Sequence, residues 1–73
     1  MVNGLTAKYV KTSSGYMGQI LEWPEVVTEG PNLEDCRASL LDAAQEMVLA
    51  YRQMDKEIPV EHSFFETILV EMA

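Results

Sequence analysis

Residues 32–55, NLEDCRASLLDAAQEMVLAYRQMD, carry the longest uninterrupted pattern in the chain and decide its fold class. Apolar residues recur along this stretch at the alternating short spacing of one face of an α-helix. Asn32 is a favourable N-cap, and Glu34 and Asp35 suit the positive end of the helix dipole. The pattern predicts a helix over residues 33–55 with one buried face, widened by Leu41 and Val48. That face comprises Leu33, Cys36, Leu40, Ala44, Met47, Tyr51 and Met54.

Three shorter stretches before the helix favour β-strands. Residues 5–11 (LTAKYVK) and 16–21 (YMGQIL) flank a Thr-Ser-Ser-Gly turn, which predicts a β-hairpin in which Gly15 is able to take positive φ. Pro24 interrupts the pattern, because proline cannot donate to a central β-ladder and belongs at a bend, a bulge or an edge. Residues 26–29 then predict a short third strand that ends at Gly-Pro.

A fourth strand is predicted after the helix, over residues 66–72 (ETILVEM), where apolar and polar residues partly alternate. The expected order is β-β-β-α-β, a single sheet with one helix packed on one face, in one domain over residues 1–73. The connection through the helix would be a right-handed crossover. One helix covers only one face of a sheet, so the other face is a candidate interface.

Composition restricts the classes of function. A chain of 73 residues buries a small core, which favours a partner or a homodimer or higher homo-oligomer. The single cysteine excludes an intramolecular disulfide and suggests a reducing, cytoplasmic compartment. Apolar runs are too short for a signal peptide or a membrane span, so no membrane association is expected. The net charge of −7 disfavours direct nucleic-acid binding. It either favours a basic partner or simply keeps a small protein in solution.

Residues 15–36, GYMGQILEWPEVVTEGPNLEDC, resemble the HicB family, which comprises antitoxins of bacterial and archaeal toxin–antitoxin pairs and related solitary domains. The helix continuation at 37–54 fits the same family. Two positions depart from it, since Glu25 stands where Pro-Gly is common and Asn32 replaces a threonine cap. The likeness is carried by Gly15, Tyr16, Gly18, Pro24, Gly30, Asn32, Glu34 and Asp35.

The resemblance implies a partial ribonuclease-H-like sheet of the same β-β-β-α-β order and a role as antitoxin. The implied partner is a small basic HicA-type toxin, an mRNA-cleaving ribonuclease with a double-stranded-RNA-binding-like fold and a catalytic histidine. The domain would neutralise that toxin by covering the site that RNA phosphates need. Many HicB proteins continue into a C-terminal DNA-binding module, whereas this sequence ends at Ala73, so the resemblance supports toxin binding and not promoter binding.

Two alternatives remain open, a solitary HicB-like domain with another protein partner and a degenerate ribonuclease-H-like nuclease. A nuclease would need a metal-binding carboxylate on the first strand, and residues 1–11 contain no Asp or Glu. His62 has no evident orienting partner, since a neighbouring Ser63 does not make a dyad. Cys36 lies on the apolar stripe and is expected to be a buried hydrophobe. We therefore expect no enzyme activity, no catalytic or metal site and no cofactor.

The partner is predicted to bind at the acidic segment that contains the only tryptophan. For Trp23 two interpretations stay open, a core side chain or an interface anchor of the kind found at binding hot spots. The predicted partner-binding residues are Glu22, Trp23, Glu25, Glu29, Glu34 and Asp35.

Overall fold

The computed structural model of the protein describes residues 4–58 and 64–73. Within these residues, three antiparallel strands, β1 (Ala7–Thr12), β2 (Gly15–Ile20) and β3 (Trp23–Gly30), precede one helix, α1 (Leu33–Gln53). The sheet order is β1-β2-β3, so β2 is central and β1 and β3 are its edges. The predicted α+β class, with one sheet and one helix, is confirmed.

The predicted hairpin joins β1 to β2. Tyr9 lies opposite Gly18 and Thr12 opposite Gly15, where the chain reverses. Gly15 has φ +151°, the positive φ that the sequence indicated it could take. A side chain there would also collide with the backbone carbonyl oxygen of Gly30 on β3, which closes the same end of the sheet.

The third strand is longer than predicted and begins at Trp23. Pro24 is tolerated because β3 is an edge strand, where a missing N–H need not interrupt a ladder on both sides. Its carbonyl oxygen accepts a hydrogen bond of 3.0 Å from Gln19 Nε2. The register shifts between Gln19 and Ile20, where Gln19 pairs with Val27 and Ile20 with Trp23. The bulge therefore absorbs the irregularity that the proline introduces.

The helix begins at the predicted residue. Asn32 Oδ1 accepts the backbone N–H of Asp35 at 2.8 Å, which confirms the N-cap. The helix ends at Gln53, two residues before the predicted 55, and Asp55 follows with φ 56°. The two ends of the predicted stripe, Leu33 and Met54, are exposed.

The helix packs on one face of the sheet. Gly18 and Gly30 face it, and the absence of their side chains permits close approach. A Cβ added at Gly30 would lie 2.7 Å from the backbone nitrogen of Cys36, closer than van der Waals contact allows. Together the sheet and the helix bury Ile20, Trp23, Val26, Cys36, Leu40, Ala44 and Tyr51.

The predicted fourth strand is wrong for this structure. Residues 64–73 belong to neither helix nor strand, and all of them are exposed. Alternation in the sequence defines two faces of an extended segment but not a neighbouring strand, and the segment has none among the described residues. The described residues therefore contain no β-α-β crossover of the kind predicted with it.

Candidate protein-binding surface

Edge strand β3 carries exposed side chains at alternate positions, and two of them are acidic. Val26 is buried against the helix, whereas Glu25, Val27 and Glu29 are exposed. This follows from the alternation of side chains along a strand. Glu29 lies opposite Met17 and Val27 opposite Gln19 on the sheet face that the helix does not cover.

A groove of about 390 Å³ runs between β3 and α1, and we call it the β3 groove. Its floor is largely apolar, and its carboxylates come from both elements, Glu25 on the strand and Glu46 on the helix. The lining residues are Glu25, Val26, Val27, Ala43, Glu46, Met47 and Ala50. An apolar channel with carboxylates on each side can receive a side chain or strand that combines an apolar surface with positive charge.

Glu25 lies at the end of the groove beside Tyr51. The Tyr51 hydroxyl donates to Glu25 Oε1 at 3.5 Å, a long hydrogen bond that leaves most of the carboxylate for other donors. Lys56 Nζ stands 4.6 Å from the centroid of the Tyr51 ring, within cation–π range. Glu25 therefore contacts the helix through Tyr51 and stays exposed at the surface.

Trp23 occupies the core. Its side chain is only 1% exposed and packs edge-on against Tyr51, so the structure shows the core interpretation of the two left open. Its indole Nε1 is buried without a hydrogen-bond partner among the described residues. Trp23 therefore packs the start of β3 against the helix and presents no surface to a partner.

Glu22 is bound within the fold. Its carboxylate accepts the backbone N–H and the hydroxyl of Thr6, both at 2.7 Å. Desolvation by burial raises the pKa of Glu22, but the hydrogen bonds from Thr6 and from the Glu22 backbone outweigh it, and the pKa lies below its usual value of 4.5. Glu22 thus joins the β2–β3 turn to the residue before β1.

The two remaining predicted residues lie at the start of the helix. Glu34 and Asp35 are exposed in its first turn, and Asp35 Oδ2 also accepts from Asn32 Nδ2 at 3.2 Å. Asp35 therefore stabilises the helix N-terminus through both its backbone and its side chain. Of the six predicted residues, four are exposed, Glu25 and Glu29 on β3 and Glu34 and Asp35 at the helix start.

Sequence reasoning missed the helix half of the groove. Ala43 and Ala50 lie at helical spacing beside Met47, which belongs to the predicted stripe, and this continuation of the stripe on one side was the available signal. Glu46 is exposed on the helix and lines the groove beside these residues.

The cysteine and the histidine are the candidate reactive residues that the sequence offered. Cys36 is a buried free thiol, as predicted, and His62 lies outside the described residues. Within residues 4–58 and 64–73, no three His, Cys, Asp or Glu residues are grouped so that they could hold a metal ion. The same residues include no helix that is long and apolar enough to cross a membrane.

No family model, no curated protein and no solved structure matches this chain.

Proposed function

We propose that the chain is a protein-binding domain of the HicB antitoxin type, which binds a small basic ribonuclease toxin and covers its RNA-binding site. The observation that carries this proposal is the β3 groove, an apolar channel along a sheet edge with Glu25 and Glu46 in its lining. A toxin that binds RNA phosphates needs Lys or Arg at its active surface. Those side chains complement carboxylates placed beside an apolar floor.

The architecture supports the same proposal. The observed order β1-β2-β3-α1 corresponds to the first four elements of the partial ribonuclease-H-like order that the HicB resemblance implies. The edge of β3 opposite β2 has no neighbouring strand among the described residues, so its backbone can pair with a strand of the toxin. Strand addition of this kind supplies affinity through the main chain, while the groove selects side chains.

Binding energy and binding rate come from different parts of the groove. Val27, Met47 and Ala43 provide apolar contacts whose burial slows dissociation. Glu25 and Glu46 steer a basic partner, and the net charge of −7 strengthens that effect at low salt. The proposal predicts association that slows as salt concentration rises.

The test begins with growth of a bacterial host that expresses a HicA-type toxin with and without this chain. Recovery of growth is expected, together with binding of a catalytically inactive form of that toxin. The informative variant is Glu25→Lys/Glu46→Lys, which should slow association and flatten its salt dependence. The matched control is Glu34→Lys/Asp42→Lys, which changes the net charge by the same amount at exposed residues outside the groove lining.

The outcomes separate function from location. If the parent chain neither restores growth nor binds the inactive toxin, the antitoxin function is wrong. If both variants slow association equally, net charge alone acts and the groove is not the site. If only the control variant is impaired, the toxin binds at the start of the helix instead. Circular dichroism of each variant must match the parent.

A further inference from the structure

The C-terminal segment, residues 64–73, has the sequence of a strand but pairs with no strand among the described residues. Its large apolar side chains are exposed, with Phe64 at 90% and Leu69 at 97%. The radius of gyration of 14.2 Å exceeds the roughly 11 Å expected of a compact chain of this length. An exposed apolar segment of this size is costly in water and marks an interaction surface.

A second unpartnered feature lies on the opposite edge of the sheet from the β3 groove. Strand β1 pairs only with β2 among the described residues. Between β1 and α1 runs a groove of about 260 Å³, the β1 groove, lined mostly by apolar side chains. Its lining includes Ala7, Tyr9, Leu40, Leu41, Ala44 and Arg37. A strand added beside β1 would direct every second side chain into this groove.

The charges of the two features are opposite. Lys8 and Lys11 lie on β1, and Arg37 lines the groove beside it. The charged residues of the C-terminal segment are Glu66 and Glu71. By contrast, the carboxylates of the β3 groove would repel this segment, so charge favours the β1 edge as its binding site.

The two sequences are most complementary when they run antiparallel. With Ile68, Val70 and Met72 directed into the groove, the other side of the segment lies beside Lys8, Val10 and Thr12. An antiparallel register then places Glu71 beside Lys8, Leu69 beside Val10 and Thr67 beside Thr12. Each is a favourable cross-strand pair.

The path of the chain disfavours this pairing within one molecule. Trp23 lies opposite Ile20, and Ile20 opposite Ala7, so the Trp23 end of β3 is also the start of β1. The helix ends there, because Tyr51 packs on Trp23. A segment that continued directly along its own β1 would run parallel to it, as in a β-α-β crossover. In that direction no register pairs Glu71 with Lys8 and Leu69 with Val10 together.

We propose that the C-terminal segment of one copy adds as a fourth strand, antiparallel, to β1 of a second copy, and that the exchange is reciprocal in a two-fold dimer. The exchange buries the apolar side chains of two segments and completes both sheets. It leaves each β3 groove open, so it does not depend on the toxin-binding proposal.

Disulfide trapping tests the exchange directly. A mixture of the Val10→Cys chain and the Leu69→Cys chain should give a covalent heterodimer under mild oxidation, identified by its mass. The native thiol Cys36 is buried and should not compete. The matched control mixes Leu69→Cys with Val27→Cys, a similarly exposed valine on the other edge strand, and should give none. A disulfide within a single chain of the Val10→Cys/Leu69→Cys double variant, or no trapping in the first mixture, overturns the proposal.

A charge exchange provides an independent measurement. Sedimentation equilibrium of the parent should show a dimer. Because the reciprocal exchange contains this pair twice, Lys8→Glu or Glu71→Lys alone should raise the dissociation constant about two- to thirtyfold. The combined variant Lys8→Glu/Glu71→Lys should restore it. Ile68→Asp/Val70→Asp should give monomers with an unchanged helical circular dichroism signal, since residues 64–73 contribute nothing to the core. A monomeric parent at tens of micromolar contradicts the proposal.

Discussion

The rings of Trp23 and Tyr51 meet edge to face, with centroids 4.7 Å apart and an interplanar angle of 72°. Trp23 is the first residue of β3, and Tyr51 lies in the last turn of α1. This contact joins the start of the edge strand to the end of the helix. The bulge and the proline beside Trp23 thus lie over a fixed point of the core, which holds the Glu25 end of the β3 groove in place.

Substitution of Trp23 measures that contact. Trp23→Ala should cost about 3–5 kcal/mol, which approaches the whole stability of a domain of this size. Trp23→Phe should cost only about 1–2 kcal/mol, because it keeps a ring against Tyr51 and removes a buried indole N–H that has no hydrogen-bond partner among the described residues. Urea denaturation monitored by circular dichroism checks which of the two variants loses more stability. Equal losses for the two variants would contradict the packing role.

A buried hydroxyl on β3 gives a stabilising prediction. Thr28 Oγ1 is buried with no hydrogen-bond partner among the described residues. Thr28→Val should raise the free energy of unfolding by about 1 kcal/mol, because it removes an unsatisfied polar atom while keeping the β-branched shape. Thr12→Val, at an exposed strand position, controls for strand propensity. A loss of stability in Thr28→Val with no change in Thr12→Val would show that the hydroxyl has a partner.

Close approach of the helix to the sheet gives a steric prediction. Gly30→Ala should destabilise the protein by about 1–3 kcal/mol, since its Cβ would lie 2.7 Å from the backbone nitrogen and 2.9 Å from the Cα of Cys36. Gly4→Ala is the control, because nothing lies within 4 Å of an added Cβ there, and its effect should stay within about 0.5 kcal/mol. Thermal unfolding of the two variants gives the comparison, and a stable Gly30→Ala protein would mean that the helix can move away.

Local sequence patterns predicted where helices and strands form better than they predicted which strands pair with one another. The N-cap at Asn32 and the positive φ at Gly15 depend on interactions within a few residues, and both were predictable. The fourth strand depended on finding a second strand far along the chain, which alternation in residues 66–72 cannot specify. That segment is where the prediction was wrong, and its exposure is now the basis of the proposed exchange.

The candidate site was also predictable in its composition but not in its contacts. Charge composition predicted an acidic surface, and Glu25 and Glu29 are exposed on β3. It could not separate carboxylates that face solvent from those bound within the fold, as Glu22 is by Thr6, because that requires the turn geometry. The helical pattern likewise misplaced Leu41. It was predicted to widen the buried stripe, but its side chain is 60% exposed and lines the β1 groove.

The Glu22–Thr6 contact predicts how stability depends on pH. The pKa of Glu22 is lower in the folded protein than its usual value of 4.5, because hydrogen bonds from Thr6 outweigh desolvation. Its contribution is therefore fully present above about pH 4.5 and is lost as the pH falls through the folded pKa. Glu22→Gln should be less stable than the parent near neutral pH, and the difference should shrink in acid. Urea denaturation over a pH series measures this difference in stability.

Glu29→Gln is the control, because it removes the same charge from an exposed strand position. Only a pH-dependent loss in Glu22→Gln beyond that control belongs to the Glu22–Thr6 contact. A constant difference between parent and Glu22→Gln at every pH would show that the contact does not lower the pKa.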